Sequence, residues 1–271
     1  MSQRAPELPA SHRLVHLAET TSTNAEAMRL ALAGEHGPLW VMADRQTGGR
    51  GRSGRSWASL PGNLNASLLL TAPCDIAKAA QLSLLAGVAA VDAIRAAGTL
   101  APAAELRLKW PNDILIGTAK MGGILIETTS APAPAPPAAG AGSSSVLSVV
   151  IGIGLNLAAA PQDLGRAATY LAAHGLPLSP GDALCFLAGA MQKWLEIWAA
   201  GTGFEQIRQA WLQRAGAAGE PLLVQAREGP VEGRFVGIDS GGALLIAGND
   251  GLERRFTFGD VSLTQGDDTG R

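Results

Sequence analysis

The stretch Gln46-Thr47-Gly48-Gly49-Arg50-Gly51-Arg52-Ser53-Gly54-Arg55-Ser56-Trp57 is too rich in glycine and arginine to sit inside a helix or a strand, yet apolar strand-like runs flank it at residues 38–43 and 64–71. Four glycines let the backbone take positive φ or approach a ligand closely. Three interleaved arginines supply fixed charge and forked donors that match a carboxylate or phosphate. An anion-binding loop between two strands is the natural reading. Gly49, Gly51 and Gly54 formally satisfy the dinucleotide pattern G-x-G-x-x-G, but Pro61-Gly62-Asn63 follows where a helix should open, so a pyrophosphate would lack its helix N-terminus. A disordered Arg-Gly tract for nucleic acid is disfavoured by the loop's shortness and by the acidic chain around it.

Outward from the loop, residues 13–19 read as a first strand, and Thr23 with Glu26 forms a capping-box pair before a helix to about Gly34. Residues 76–97 carry a helical apolar pattern, and 106–110, 114–116, 123–128 and 146–157 read as further strands. Ser179 caps a helix with Pro180 at its first position; Leu184, Leu187, Met191, Trp194 or Leu195, and Trp198 share its apolar face. A shorter helix covers 204–215. Beyond residue 221, strands at 222–226, 231–239, 243–247 and 253–258 alternate with the turns Asp239-Ser240-Gly241-Gly242 and Gly248-Asn249-Asp250-Gly251. The expected fold class is α/β: a mixed-sheet domain over residues 10–216, then a small all-β barrel over 220–265. Every residue from Ser130 to Ser145 is Ala, Pro, Gly or Ser, which cannot offset the entropy of ordering, so a flexible connection is expected there.

Composition narrows the function classes. The 271 residues suit one large domain or one medium and one small, and 47% hydrophobic with 16% charged residues supports a packed core. A net charge of -2 argues against a general nucleic-acid surface. Cys74 and Cys185 lie too far apart for a metal-ligand spacing, and the first residues lack the apolar core of a signal peptide. Residues 146–160 fall short of the roughly 20 needed to span a bilayer. A soluble, cytoplasmic protein with neither membrane nor DNA as partner is expected.

Four further segments carry chemistry. Lys109-Trp110-Pro111-Asn112-Asp113 holds one of only four lysines, and Asp113 beside Asn112 suits Mg²⁺ or a ribose or phosphate oxygen, or simply a turn between strands. Lys120-Met121-Gly122-Gly123-Ile124-Leu125-Ile126-Glu127 sets a lysine before an apolar strand, where it could neutralise a carboxylate or merely face solvent. In Val150-Ile151-Gly152-Ile153-Gly154-Leu155-Asn156-Leu157 the glycines clear room on one face, and Asn156 is either a ligand contact or a satisfied core amide. Hydroxyls in Thr21-Ser22-Thr23-Asn24 cap a helix or hydrogen-bond a neutral polar ligand head. No zinc pair forms among His12, His16, His36 and His174, and no Walker loop is present.

Taken in order, Ser22-Thr23-Asn24, the Gln46–Trp57 loop, Lys109–Asp113, Lys120–Glu127 and Gly152…Gly154…Asn156 resemble the bacterial biotin–protein ligase family. Gly237-Ile238-Asp239, Gly242-Ala243-Leu244 and Gly259-Asp260-Val261-Ser262-Leu263 resemble that family's SH3-like C-terminal domain. The resemblance implies that ATP and biotin are substrates, with Mg²⁺, and that biotinyl-5′-AMP is formed and passed to a lysine of a biotin carboxyl carrier protein. It implies that Ser22, Thr23, Asn24 and Gln46 hold the biotin head, while Arg50, Gly51, Arg52 and Lys120 serve the carboxylate and adenylate. Lys120 and Arg52 become the catalytic residues. Trp57, Lys109, Asn112, Asp113 and Asn156 become the nucleotide-binding set, with Asp113 toward Mg²⁺. About a dozen residues before the first strand are too few for a helix-turn-helix, so repression through such a domain is not expected; a homodimer is left open. A lipoate or octanoate ligase of similar architecture and a non-catalytic biotin- or nucleotide-sensing module are the alternatives. The polar cluster Ser22, Thr23 and Gln46 suits a ureido head better than a dithiolane.

Overall fold

The computed structural model describes residues 7–134, 145–162, 167–226 and 229–264. Strands β1 (Arg13–Thr20), β2 (Leu39–Gln46), β3 (Leu64–Thr71), β4 (Leu106–Lys109), β5 (Asp113–Ile116), β6 (Ala119–Pro132) and β7 (Ser145–Leu155) form one sheet in the order β1-β2-β3-β7-β6-β5-β4. Only β1 and β2 run parallel; the other pairs are antiparallel. Helices α1 (Thr23–Leu32), α2 (Gln81–Ala97), α3 (Pro180–Trp198) and α4 (Phe204–Leu212) cover it unequally.

Period-two alternation decides which residues meet which helices. Trp40, Met42, Leu64, Ala66, Leu68, Leu70, Ile151, Ile153 and Leu155 join the large core with α2, α3 and α4. Leu39, Val41, Leu69 and Val150 face the other way and pack under Ala27 and Ala31 of α1. Helix α1 covers only part of that second face. The remainder carries Asn65, Ser67, Gly123, Gly152 and Gly154, aligned in two rows across three strands: Asn65 opposite Gly154 opposite Gly123, and Ser67 opposite Gly152 opposite Leu125. This strip, three glycines with two polar residues and a leucine, is the floor of the site.

A second, all-β sheet follows, made of β8 (Pro221–Ala226), β9 (Gly229–Ile238), β10 (Leu244–Gly248), β11 (Glu253–Phe256) and β12 (Asp260–Leu263) in the order β11-β10-β9-β8-β12. It is fastened to the first sheet by the Arg107–Glu220 ion pair at 2.7 Å, by Trp110 Nε1 donating to Gly242 O at 3.0 Å, and by Lys109 Nζ donating to Val261 O at 2.8 Å. On the outer layer Asp92 accepts from Trp194 Nε1 at 3.0 Å and from Arg214 Nη2 at 2.6 Å, joining α2 and α3 to the end of α4.

Several boundaries differ from the sequence reading for physical reasons. Ser22, not Thr23, is the N-cap of α1, with its hydroxyl facing Ala25 N; Glu26 instead pairs with Arg29 one turn on. Residues 76–78 are a 3₁₀ turn, and the helix proper starts at Gln81. Strand β12 carries one apolar residue buried against the core, Val261, and its alternation is too short to announce itself. Ser130, Ala131 and Pro132 are not a flexible connection: they pair with Leu147, Val146 and Ser145 in the β6–β7 ladder. The rest of the expected flexible segment, residues 135–144, lies outside the described residues. Because the ladder closes at Pro132 opposite Ser145, replacing residues 134–144 with a short Gly-containing turn should leave melting temperature and turnover within about 2-fold of the parent. A folded trimmed protein with lost turnover would contradict this.

Candidate active site

The loop after β2 is organised by its own backbone. Trp57 N donates to Gly49 O at 2.9 Å and Gly51 N donates to Arg55 O at 2.7 Å, so the Arg-Gly stretch doubles back on itself. Ser53 and Gly54 make the tip with φ of 55° and 74°, a left-handed turn that glycine takes without strain. The fold-back brings Trp57 down onto the glycine strip. A Cβ on Gly154 would overlap the indole, and one on Gly123 would come within 3.5 Å of it.

On one side of Trp57 lies a cluster of uncharged polar groups. Gln46 Oε1 accepts from Thr23 N at 2.9 Å and from Thr23 Oγ1 at 3.2 Å; Gln46 Nε2 donates to Asn65 Oδ1 at 3.2 Å. Ser67 Oγ lies 2.7 Å from Thr23 Oγ1 and 2.6 Å from Asn24 Oδ1. Ser22, Thr23, Asn65 and Ser67 are all buried at the open end of α1. Such a set offers several acceptors and hydroxyl donors and no net charge, the chemistry for a neutral head with both N–H and C=O groups.

On the other side is a cavity of about 480 Å³ lined by Gly51, Arg52, Arg55, Trp57, Lys109, Asn112, Asp113, Lys120 and residues 260–264 of the second sheet. Among its charged lining residues, four cations face two carboxylates, so an anion gains on entering. Arg52 is held by Asn112 Oδ1 at 3.2 Å and Gly259 O at 3.3 Å, and its guanidinium lies 5.5 Å from the centre of the Phe258 ring. Burial pulls the Arg52 pKa below its ordinary value, most strongly opposed by Asp260. Arg55 pairs with Asp260 itself.

Lys120 is fixed along its backbone by bonds from its N to Ala167 O at 2.9 Å and to its O from Thr169 N at 2.9 Å. Its ammonium pairs with Asp113 and lies 6.0 Å from the Trp57 ring centre; Lys109 takes the other Asp113 oxygen at 3.0 Å. Burial pushes the Asp113 carboxyl up, but the two lysines more than reverse this and hold it below 3.8. A depressed carboxylate contributes stability above its unfolded pKa and loses it as pH falls through the folded one. Asp113→Asn, which leaves two half-buried ammoniums facing each other, should therefore destabilise by about 3 kcal/mol at pH 7. Thermal melts should show that deficit shrinking below about pH 4. An equal deficit at pH 7 and pH 3 would contradict the assignment.

A model of the biotin/lipoate A/B protein ligase family matches residues 16–135, and one of the biotin protein ligase C-terminal domain matches residues 219–264. The chain is 40% identical to the biotin–[acetyl-CoA-carboxylase] ligase of Paracoccus denitrificans over 88% of this chain and 95% of that one. The chain belongs to the biotin protein ligase family. It is also 33% identical to the bifunctional ligase/repressor BirA of Bacillus subtilis, over 95% of this chain and 75% of that protein. Its fold superimposes on a biotin protein ligase from Aquifex aeolicus, solved in complex with biotin and ATP, with a TM-score of 0.73 at 26% identity, covering 93% and 99% of the two chains.

Four of the residues to which the family resemblance gives a ligand role have protein partners of their own in this structure. Arg50 turns from the cavity to pair with Glu127 at 3.0 Å. Asn24 donates to the same Glu127 at 2.8 Å and to Leu125 O at 3.3 Å, bolting α1 to β6 over Gly152, while its Oδ1 meets Ser67 in the polar cluster. Asn156 is a satisfied core amide: it accepts from Asn63 Nδ2 at 3.3 Å, donates to Thr169 O at 3.1 Å and does not line the cavity. Trp57 is wedged between the polar cluster and Lys120, with its Nε1 donating to Asn65 Oδ1 at 3.1 Å, and it also lines the cavity. Asp113 does not fit a resident metal, because both its oxygens are taken by ammoniums, and among the described residues no group of three His, Cys, Asp or Glu side chains converges. No described helix is long and apolar enough to cross a membrane.

The sequence reading missed Asn65, Ser67 and Ser59, and gave Arg55 no role beyond its place among the three loop arginines. Asn65 and Ser67 break the apolar run of β3 at alternate positions, and that two-residue spacing was the available signal.

Proposed function

We propose that the protein is an ATP-dependent biotin–protein ligase that joins biotin to a lysine of a biotin carboxyl carrier domain through biotinyl-5′-AMP. The observation that carries this reading is the juxtaposition, on one glycine-cleared strip of sheet, of a neutral polar cluster and a four-cation cavity with Lys120 where they meet. A molecule with an uncharged cyclic urea at one end and a carboxylate at the other spans that arrangement, its tail passing Trp57. The Paracoccus and Aquifex relatives support the same substrates.

In the first step a carboxylate oxygen attacks the α-phosphorus of ATP and the bond to pyrophosphate breaks. Both reactants are anions, so the work is to bring them together and hold the charge that develops, which needs no covalent enzyme intermediate. Lys120 neutralises the junction, exchanging part of its pairing with Asp113 for the incoming oxygens. Arg52 and Arg55 cover the phosphate and shield the mixed anhydride from water. Lys109 and Asn112 hold the nucleotide's phosphates from the side of β4 and β5. In the second step the carrier's lysine nitrogen attacks the acyl carbon and AMP leaves.

ATP–pyrophosphate exchange with biotin, lipoate or octanoate tests the reading. Exchange with biotin alone is expected. Exchange with lipoate or octanoate would move the protein to the sister activity, and none from folded protein would make it a binding module.

A further inference from the structure

We infer that Asn65 is a positioning residue that sets the polarity of the head cluster and ties it to the Arg-Gly loop, so that recognising the ligand head and seating Trp57 are one event. The inference rests on the biotin-ligase reading above. It follows from groups that can only donate. Thr23 N is a main-chain donor, so the end of the Gln46 amide that faces it must be oxygen. The other end, Nε2, must then donate, and it meets Asn65 Oδ1 at 3.2 Å. The Trp57 indole N–H also only donates, and it reaches the same oxygen at 3.1 Å. The Asn65 amide is thereby oriented as well: its Nδ2 donates to Ser59 Oγ at 3.0 Å, and Ser59 Oγ accepts from Gln46 N at 2.9 Å.

One carbonyl oxygen on a residue only 1% exposed thus receives donors from the ligand-facing glutamine and from the aromatic wedge. An apolar residue of similar size would fill the same buried place on β3. It would leave the part-buried N–H groups of Gln46 and Trp57 without this acceptor. Without Asn65 the Gln46 amide is free to turn, offering N–H where a urea N–H needs an acceptor, and Trp57 loses the bond that seats it beside Gly154.

The test is steady-state adenylation by full-length wild type, Asn65→Ala, Gln46→Ala and the double variant, with thermal melts in parallel. Asn65→Ala is expected to raise KM for biotin by about 10–100-fold, while KM for ATP and kcat move less than about 3-fold. The double variant should bind biotin worse than Gln46→Ala by less than the Asn65→Ala effect alone, because part of that effect runs through Gln46. Should Asn65→Ala not fold, Ser59→Ala, which frees the Asn65 amide to turn, should give a smaller rise confined to biotin. An unchanged biotin KM in folded Asn65→Ala, equal rises for biotin and ATP, or additive effects in the double variant would overturn the inference while leaving the function intact. Wild type inactive with biotin would instead overturn the function, and this inference with it.

Discussion

Lys120→Ala should lower biotin-dependent ATP–pyrophosphate exchange by about 10²–10³-fold, the loss seen when one preorganised donor to a developing charge is removed. The lysine is the cation common to the two halves of the site: it pairs with Asp113 below and faces Trp57 and Gly123 above. A trivial explanation has to be separated from this, because Asp113 would keep only Lys109 as counter-charge and the protein would lose stability. Lys120→Met, which keeps the packing of the side-chain stem while Asp113 stays paired with Lys109, should recover melting temperature relative to Lys120→Ala while exchange does not. Recovery of both would show that Lys120 acts only through folding.

Arg52→Ala should leave adenylate formation largely intact and fail to keep the product. The guanidinium reaches across the cavity to Asn112 and Gly259, where on the proposed reading it would face an adenylate phosphate. A hydrogen bond to a charged group is worth about 2 kcal/mol, or roughly 30-fold in the lifetime of the bound intermediate. Released biotinyl-AMP acylates any exposed amine, so labelling of bystander lysines should rise by a similar factor. Retention of adenylate by the variant, measured by filtration after a single turnover, would remove Arg52 from that role. Arg55, paired with Asp260, then becomes the next residue to vary.

Both catalytic expectations rest on residues that were legible from the chain, because each stands in a local pattern with a strong physical cause. Glycines beside arginines mark a loop that approaches an anion, and the strand-flanked Lys120 sits where glycines give it room. The limits of β3 were legible to the residue, since Leu64–Thr71 is bounded by a Pro-Gly turn and by Ala72-Pro73. What stayed hidden is set by partners distant in sequence. Asn156 and Asn63 are 93 residues apart, and only their meeting turns a candidate ligand contact into a core amide. Arg50 reaches Glu127 across 77 residues, so nothing local distinguishes it from Arg52, whose side chain turns the other way. The helix cap shifted by one residue because Ser22 and Thr23 are chemically equivalent caps, and the demand of Gln46 for the Thr23 amide chooses between them.

One feature of the fold bears on the order in which the enzyme comes into being. The far wall of the nucleotide cavity is residues 260–264, and Lys109 and Arg52 are held by Val261 O and Gly259 O. A ribosome delivers the head cluster, the Arg-Gly loop and both lysines long before that wall. A nascent chain therefore carries these groups before the cavity has its last wall. Synthesis of β12 is the step that supplies that wall.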